Sequence, residues 1–115
     1  MTSLRESRVF QEFAEVARTI SNSDVTTFKS PGSKIIGYFC AAMPAEMLTA
    51  AGMLPFRLRA TGSEGTELSD SCFSSLNCSF PRHAFNMALQ GGYDFLDGLV
   101  MFNSCDHIRR VYDHW

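Results

Sequence analysis

Gly98-Leu99-Val100-Met101-Phe102 is a short apolar run that ends in Asn103-Ser104-Cys105 and passes directly into Asp106-His107-Ile108-Arg109-Arg110. A run of this kind, with glycine on one side and polar residues on the other, reads as a buried strand. The residues after it read as a helix start with Asp106 in the first turn. A strand feeding straight into a helix restricts the chain to α/β architectures, because the helix must pack back against a sheet. Cys105 then stands at the carboxyl end of a strand and the amino end of a helix. Open parallel sheets bind ligands there, and the exposed N–H groups favour a thiolate or an anionic cofactor.

The same order recurs upstream. Lys34 to Cys40 reads as a strand apolar on both faces, and a helix follows with Pro44 at its start, Glu46 in its first turn and Gly52 closing it. Pro55 to Ala60 alternates apolar and basic residues, as a strand with one wet face near a sheet edge does. Thr61 to Asp70 reads as a polar loop. Ser79 to Leu89 reads as a helix with Pro81 in its first turn, closed by Gly91-Gly92. At the amino end, Val9, Phe10, Phe13, Val16, Ala17 and Ile20 recur at three- and four-residue steps among charged residues that include Arg5, Glu6 and Arg8. They predict an amphipathic helix ending near Asn22, followed by a linker over 21–33 with a Pro31-Gly32 turn. The expected organisation is an N-terminal helix and linker over 1–33 and the N-terminal part of an α/β domain over 34–115. The expected fold is a mainly parallel sheet flanked by helices, Rossmann-like or flavodoxin-like, with its first domain truncated. The last helix opens at Asp106 and the chain stops at Trp115, so the sequence is expected to be a fragment.

At 115 residues the chain has room for one small core. Ten basic and twelve acidic residues give a net charge of −2, which is no footprint for nucleic acid or an anionic membrane. The sequence shows no signal-peptide pattern and no run long enough to span a bilayer, so a cytoplasmic location is expected. In that compartment four cysteines are thiols or metal ligands rather than a disulfide frame.

Cys40, Cys72, Cys78 and Cys105 match no short-spaced zinc or ferredoxin pattern. Cys40 and Cys105 both end predicted strands and Cys78 precedes a predicted helix, so three sulfurs could meet at one rim of the sheet. The competing reading makes them small buried hydrophobes. Glu46 is placed either to cap free N–H groups or to act as a general acid/base. His83 and His107 lie at helix starts, where each reads as a proton carrier or as an ordinary satisfied polar residue. The pairs Arg109-Arg110 and Arg57 with Arg59 read equally as clamps for a phosphate or carboxylate and as solvated faces. Met43, Met47, Met53, Met87 and Met101 read as core filler. Gly62-Ser63-Glu64-Gly65 precedes no phosphate-binding lysine, which disfavours a nucleotide site.

Several strings taken together resemble a known family. Gly37-Tyr38-Phe39-Cys40, Met43-Pro44-Ala45-Glu46-Met47 and Ala50-Ala51-Gly52-Met53-Leu54-Pro55-Phe56-Arg57 look like the opening of the 2-hydroxyacyl-CoA dehydratases, which include the benzoyl-CoA reductase subunits. Asn77-Cys78-Ser79-Phe80-Pro81-Arg82 and Asp97-Gly98-Leu99-Val100, leading into Asn103 to Arg110, look like the following signatures, in the family's order. Tyr93 to Gly98 and Arg109 to Trp115 lean towards the benzoyl-CoA reductase branch.

The resemblance implies a subunit that holds a 4Fe-4S cluster through three cysteines and works beside a homologous partner subunit. It further implies an ATP-dependent activator, itself an iron-sulfur protein, that delivers one low-potential electron. In the dehydratases that electron forms a ketyl radical on the acyl-CoA thioester and permits loss of the hydroxyl; in the reductases it starts dearomatisation of the ring. Carried over by position, Cys78 and Cys105 match two cluster ligands, and the third lies in a part of the family that this sequence does not contain. Glu46 matches an acidic residue and is the acid/base candidate, whereas Cys40 and Cys72 are not matched to ligands. Two other readings stay open: a double-cubane-type electron-transfer reductase of the same family, and a cluster-free α/β interaction domain.

Overall fold

The computed structural model describes residues 6–115; Arg5, placed above in the first helix, lies outside them. Three short strands form one parallel sheet in the order β2-β1-β3. The central strand β1 is Ile35–Tyr38, with β2 (Leu54–Arg57) on one side and β3 (Gly98–Leu99) on the other. Register is fixed by Ile35 opposite Leu54 and by Ile36 opposite Gly98. β1 carries β-branched Ile35 and Ile36, and Ile35 is fully buried. The expected α/β fold with a parallel sheet flanked by helices is the one found.

Five α-helices accompany the sheet among the described residues: α1 (Arg8–Arg18), α2 (Ser23–Phe28), α3 (Ala45–Ala50), α4 (Ser79–Leu89) and α5 (Asp106–His114). Both helices closed by glycine end as the sequence indicates. Gly52 has φ 74° and Gly91 has φ 81°. Met53 N–H donates to the Leu48 carbonyl at 2.9 Å and Gly92 N–H to that of Met87 at 2.8 Å, the paired closure that a left-handed residue permits. α4 buries Pro81, Ala84, Phe85 and Asn86, and α5 buries Ile108 and Val111. The apolar ones among them, Ala84, Phe85, Ile108 and Val111, join Phe39, Phe56, Leu58, Phe73 and Tyr93 in the core.

Several expectations are corrected. α1 ends at Arg18, not near Asn22, and buries no residue. The β-branched Thr19 turns extended there, and Arg59 Nη2 takes the last carbonyls, donating to Val16 O at 3.2 Å and Thr19 O at 2.9 Å. The stretch read as a linker contains α2, because Asn22 Oδ1 accepts from Asp24 N–H and Val25 N–H and so starts a helix. Val25 then enters the core. The run expected as a strand through Phe102 pairs only at Gly98 and Leu99, while Val100 and Phe102 are exposed. Among the described residues β3 has β1 as its one partner, so a longer strand would have no second neighbour to cover it. Met43 is buried as expected, but Met47 is 70% exposed on α3.

Candidate functional site at the carboxyl rim of the sheet

The chain leaves β1 towards β2 on one side of the sheet and later returns to β3 on the other. The carboxyl ends of β1 and β3 therefore flank a topological switch point, the crevice where open α/β sheets bind ligands. Phe39 and Cys40 follow β1 directly, and Cys105 follows the segment that leaves β3.

Four contacts assemble this rim. Cys40 Sγ lies 2.8 Å from Ser104 Oγ, which joins the two sides of the crevice. The ring of Phe39 meets that of Phe80 edge-on, with centroids 6.0 Å apart, and this brings the start of α4 to the end of β1. Cys78 N–H donates to His107 Nδ1 at 3.4 Å, linking the first turns of α4 and α5. Arg57, the last residue of β2, donates from Nε to the Phe39 carbonyl at 3.2 Å.

Cys78 is the N-cap of α4 and Cys105 the N-cap of α5; neither helix start receives a hydrogen bond from its cap side chain. Such helix ends expose backbone donors and the positive end of the dipole to whatever sits in front of them. Both cysteines are exposed, as is Cys72, and Cys40 is half-buried. The reading of the cysteines as buried core residues is therefore corrected for Cys72, Cys78 and Cys105, whereas Cys40 packs against the core. Among the described residues no three His, Cys, Asp or Glu side chains come together as a metal-holding group. The rim thus supplies soft thiol donors at two adjacent helix starts, which fits an anionic iron-sulfur cluster held in part by this chain.

Glu46 lies in the first turn of α3, after β1, so its backbone starts on the same side of the sheet. Its side chain forms no hydrogen bond or ion pair with the described residues. It does not cap its helix. His107 accepts the Cys78 N–H, whereas His83 Nδ1 lies 2.8 Å from Ser63 Oγ and fastens the loop before α4. Arg109 pairs with Asp106 at 2.8 Å within α5. A concavity of about 490 Å³ is lined by Leu89, Tyr93, Gly98 and Trp115 near the start of β3, away from the cysteines. A smaller one of about 230 Å³ is lined by Met101, Phe102, Ile108 and Tyr112 next to the Cys105 turn.

Ser104 and Phe80 belong to this rim by contact; both lie in the family-like strings around Cys105 and Cys78, but nothing local pairs them with Cys40 and Phe39. The strand order that brings them to Cys40 and Phe39 is the missing information.

Comparison with known proteins places the chain in a family. The family model described as 2-hydroxyglutaryl-CoA dehydratase, D-component, matches residues 40–115, which contain all four cysteines and Glu46. A benzoyl-CoA reductase subunit of Thauera aromatica is 34% identical over 87 residues, 74% of this chain and 22% of the relative. The (R)-phenyllactyl-CoA dehydratase beta subunit of Clostridium sporogenes is 26% identical over 102 residues, 89% of this chain and 27% of the relative. The beta subunit of (R)-2-hydroxyglutaryl-CoA dehydratase of Acidaminococcus fermentans is 28% identical over 103 residues, 90% of this chain and 27% of the relative. The chain spans about a quarter of the length of these relatives, which are subunits of dehydratase and reductase enzymes. With the family model covering its sheet rim and both cysteine-capped helices, the chain belongs to the 2-hydroxyglutaryl-CoA dehydratase D-component family.

Proposed function

We propose that this chain forms part of the cluster-binding wall in a subunit of an acyl-CoA dehydratase or benzoyl-CoA reductase type of enzyme. Cys78 and Cys105 would hold iron of a 4Fe-4S cluster, with a third thiolate from outside this chain. The observation that carries the reading is the juxtaposition of two thiol-capped helix starts, joined through Cys78 N–H and His107 Nδ1, beside the switch point of the sheet. When bound, the cluster would supply a low-potential electron to the acyl-CoA thioester, received from an ATP-dependent activator protein.

The chain's own residues have more limited tasks. The helix starts of α4 and α5 offset negative charge on the cluster through their free N–H groups. His107 holds the two starts in register, and the Cys40–Ser104 contact closes the crevice below them. Glu46, unpaired among the described residues at the start of α3, is the group available to take or return a proton on the substrate. The site is completed by a homologous partner subunit, in keeping with relatives named as beta subunits.

Iron and acid-labile sulfide, measured on the anaerobically isolated subunit that includes this chain, test the assignment. Cys78→Ser and Cys105→Ser are expected to lose most of the iron, and Cys72→Ser to retain it. An iron-free parent subunit, or full iron retention in both variants, would overturn the reading.

A further inference from the structure

Arg57 is a fixed cation without a counter-charge among the described residues. Its Nε donates to the Phe39 carbonyl at 3.2 Å. Among the described residues its two Nη groups make no hydrogen bond, and no carboxylate lies within ion-pair distance. Its neighbours in charge differ. Arg59 is spent on the carbonyls that end α1, Arg82 on Asp70, and Lys29 and Lys34 on Asp97. Binding the guanidinium by Nε leaves its end-on edge, Nη1 with Nη2, as a free fork, and that edge matches the paired oxygens of a phosphate or carboxylate.

Its position gives the fork a use. Arg57 closes β2, and the carbonyl that holds it belongs to the residue before Cys40, at the mouth of the crevice between β1 and β3. A charged side chain held in place by one bond loses less freedom when it takes up a ligand than a loose one does.

We propose that Arg57 is an oxyanion-recognition residue of this rim, its Nη edge receiving the paired oxygens of a phosphate or carboxylate carried by the ligand of the crevice. This rests on the acyl-CoA reading for the ligand's identity, and that reading allows two sources, the phosphates of the coenzyme and a carboxylate on the acyl group.

Calorimetric titration of the metal-free full chain with coenzyme A, pantetheine and glutarate separates the sources. Coenzyme A is expected to bind, with Arg57→Gln weakening it about ten-fold or more and Arg57→Lys restoring only part, since an ammonium has no fork. Pantetheine, which lacks phosphates, is expected to bind equally to parent and variant. If glutarate instead is the ligand that responds to Arg57→Gln, the carboxylate source is the right one. Arg59→Gln serves as the control of equal charge change and is expected to leave both affinities unaltered, and circular dichroism reports folding of each variant. Binding of coenzyme A and glutarate unchanged in both Arg57→Gln and Arg57→Lys, or no binding of either by the parent, overturns the proposal. Because the titrated chain carries no iron, these outcomes are independent of those that test Cys78 and Cys105.

Discussion

A side chain at Gly37 has no room. A Cβ there would come within 2.6 Å of Leu58 Cδ1, 2.8 Å of Leu96 Cδ1 and 3.0 Å of Leu99 Cδ1, so three leucines drawn from different parts of the chain meet over the middle of β1. Gly37→Ala must displace all three at once and is expected to cost about 1–3 kcal/mol in urea denaturation. Tyr93 shows a polar counterpart of the same close fit. Burial pushes its phenol up to about 12 from 10.0, against the pull of Arg59, and its hydroxyl donates to the Arg59 carbonyl. A group whose folded pKa is raised contributes stability below its unfolded value and loses it as pH rises through the folded one. Stability at this site is therefore expected to fall between pH 10 and about 12, and Tyr93→Phe to remove that part of the alkaline limb in a pH series of thermal melts. The sequence marks both residues only as members of the family-like strings Gly37 to Cys40 and Tyr93 to Gly98. Their roles depend on neighbours far along the chain.

Among the elements, α4 does the most to organise the molecule. Its Asn86 is almost fully buried, and Oδ1 accepts from Leu68 N–H at 2.9 Å and Ser69 N–H at 3.3 Å. Arg82, one turn earlier, binds Asp70 at 2.6 Å. The long loop between β2 and α4 is thereby tied to α4 through Asn86 and Arg82, while Cys78 stands at the start of the same helix. Asn86→Ala leaves two backbone donors without their partner and is expected to cost about 1–3 kcal/mol, with faster amide exchange at Leu68 and Ser69 as the local readout. Helix ends of this kind are legible in sequence where a residue type has one dominant reason to be there. Gly52 and Gly91 are such cases, because left-handed backbone closes the helix they follow. α2 is not legible, since Ser23 to Phe28 mixes polar, β-branched and aromatic residues without a clear period, and it is the Asn22 cap and the burial of Val25 that make it a helix. α1 shows the opposite limit. Its periodicity gives the right element, yet Phe13 is 71% exposed and the stripe finds no surface within the described chain.

At the scale of the whole molecule, Asp97 ties the entry of the sheet together. It accepts from Lys29 at 2.7 Å, from Lys34 at 3.3 Å and from Ile35 N–H at 2.9 Å, joining the end of α2 to the starts of β1 and β3. The hydrogen bond from Lys29 is the chief cause, with those from Ile35 N–H and Lys34, that holds its carboxyl well below the usual 3.8. A depressed folded pKa contributes stability above the unfolded value and loses it as pH falls through the folded one. Acid unfolding is accordingly expected to draw on Asp97 from pH 3.8 downward, and Asp97→Asn to flatten the acid limb of a melting curve while lowering the neutral plateau. The site lies at the other end of the same sheet. Sequence by itself determined the α/β class, the order of strand and helix from β1 onward, and the positions of Cys78 and Cys105 at helix starts, because period, glycine closures and polar breaks act within a few residues. Only the tertiary structure decided that β1 lies between β2 and β3, that Cys40 faces Ser104 and that Arg57 is held by the Phe39 carbonyl. Strand order and register arise from packing between segments distant in the chain, and no local pattern encodes them.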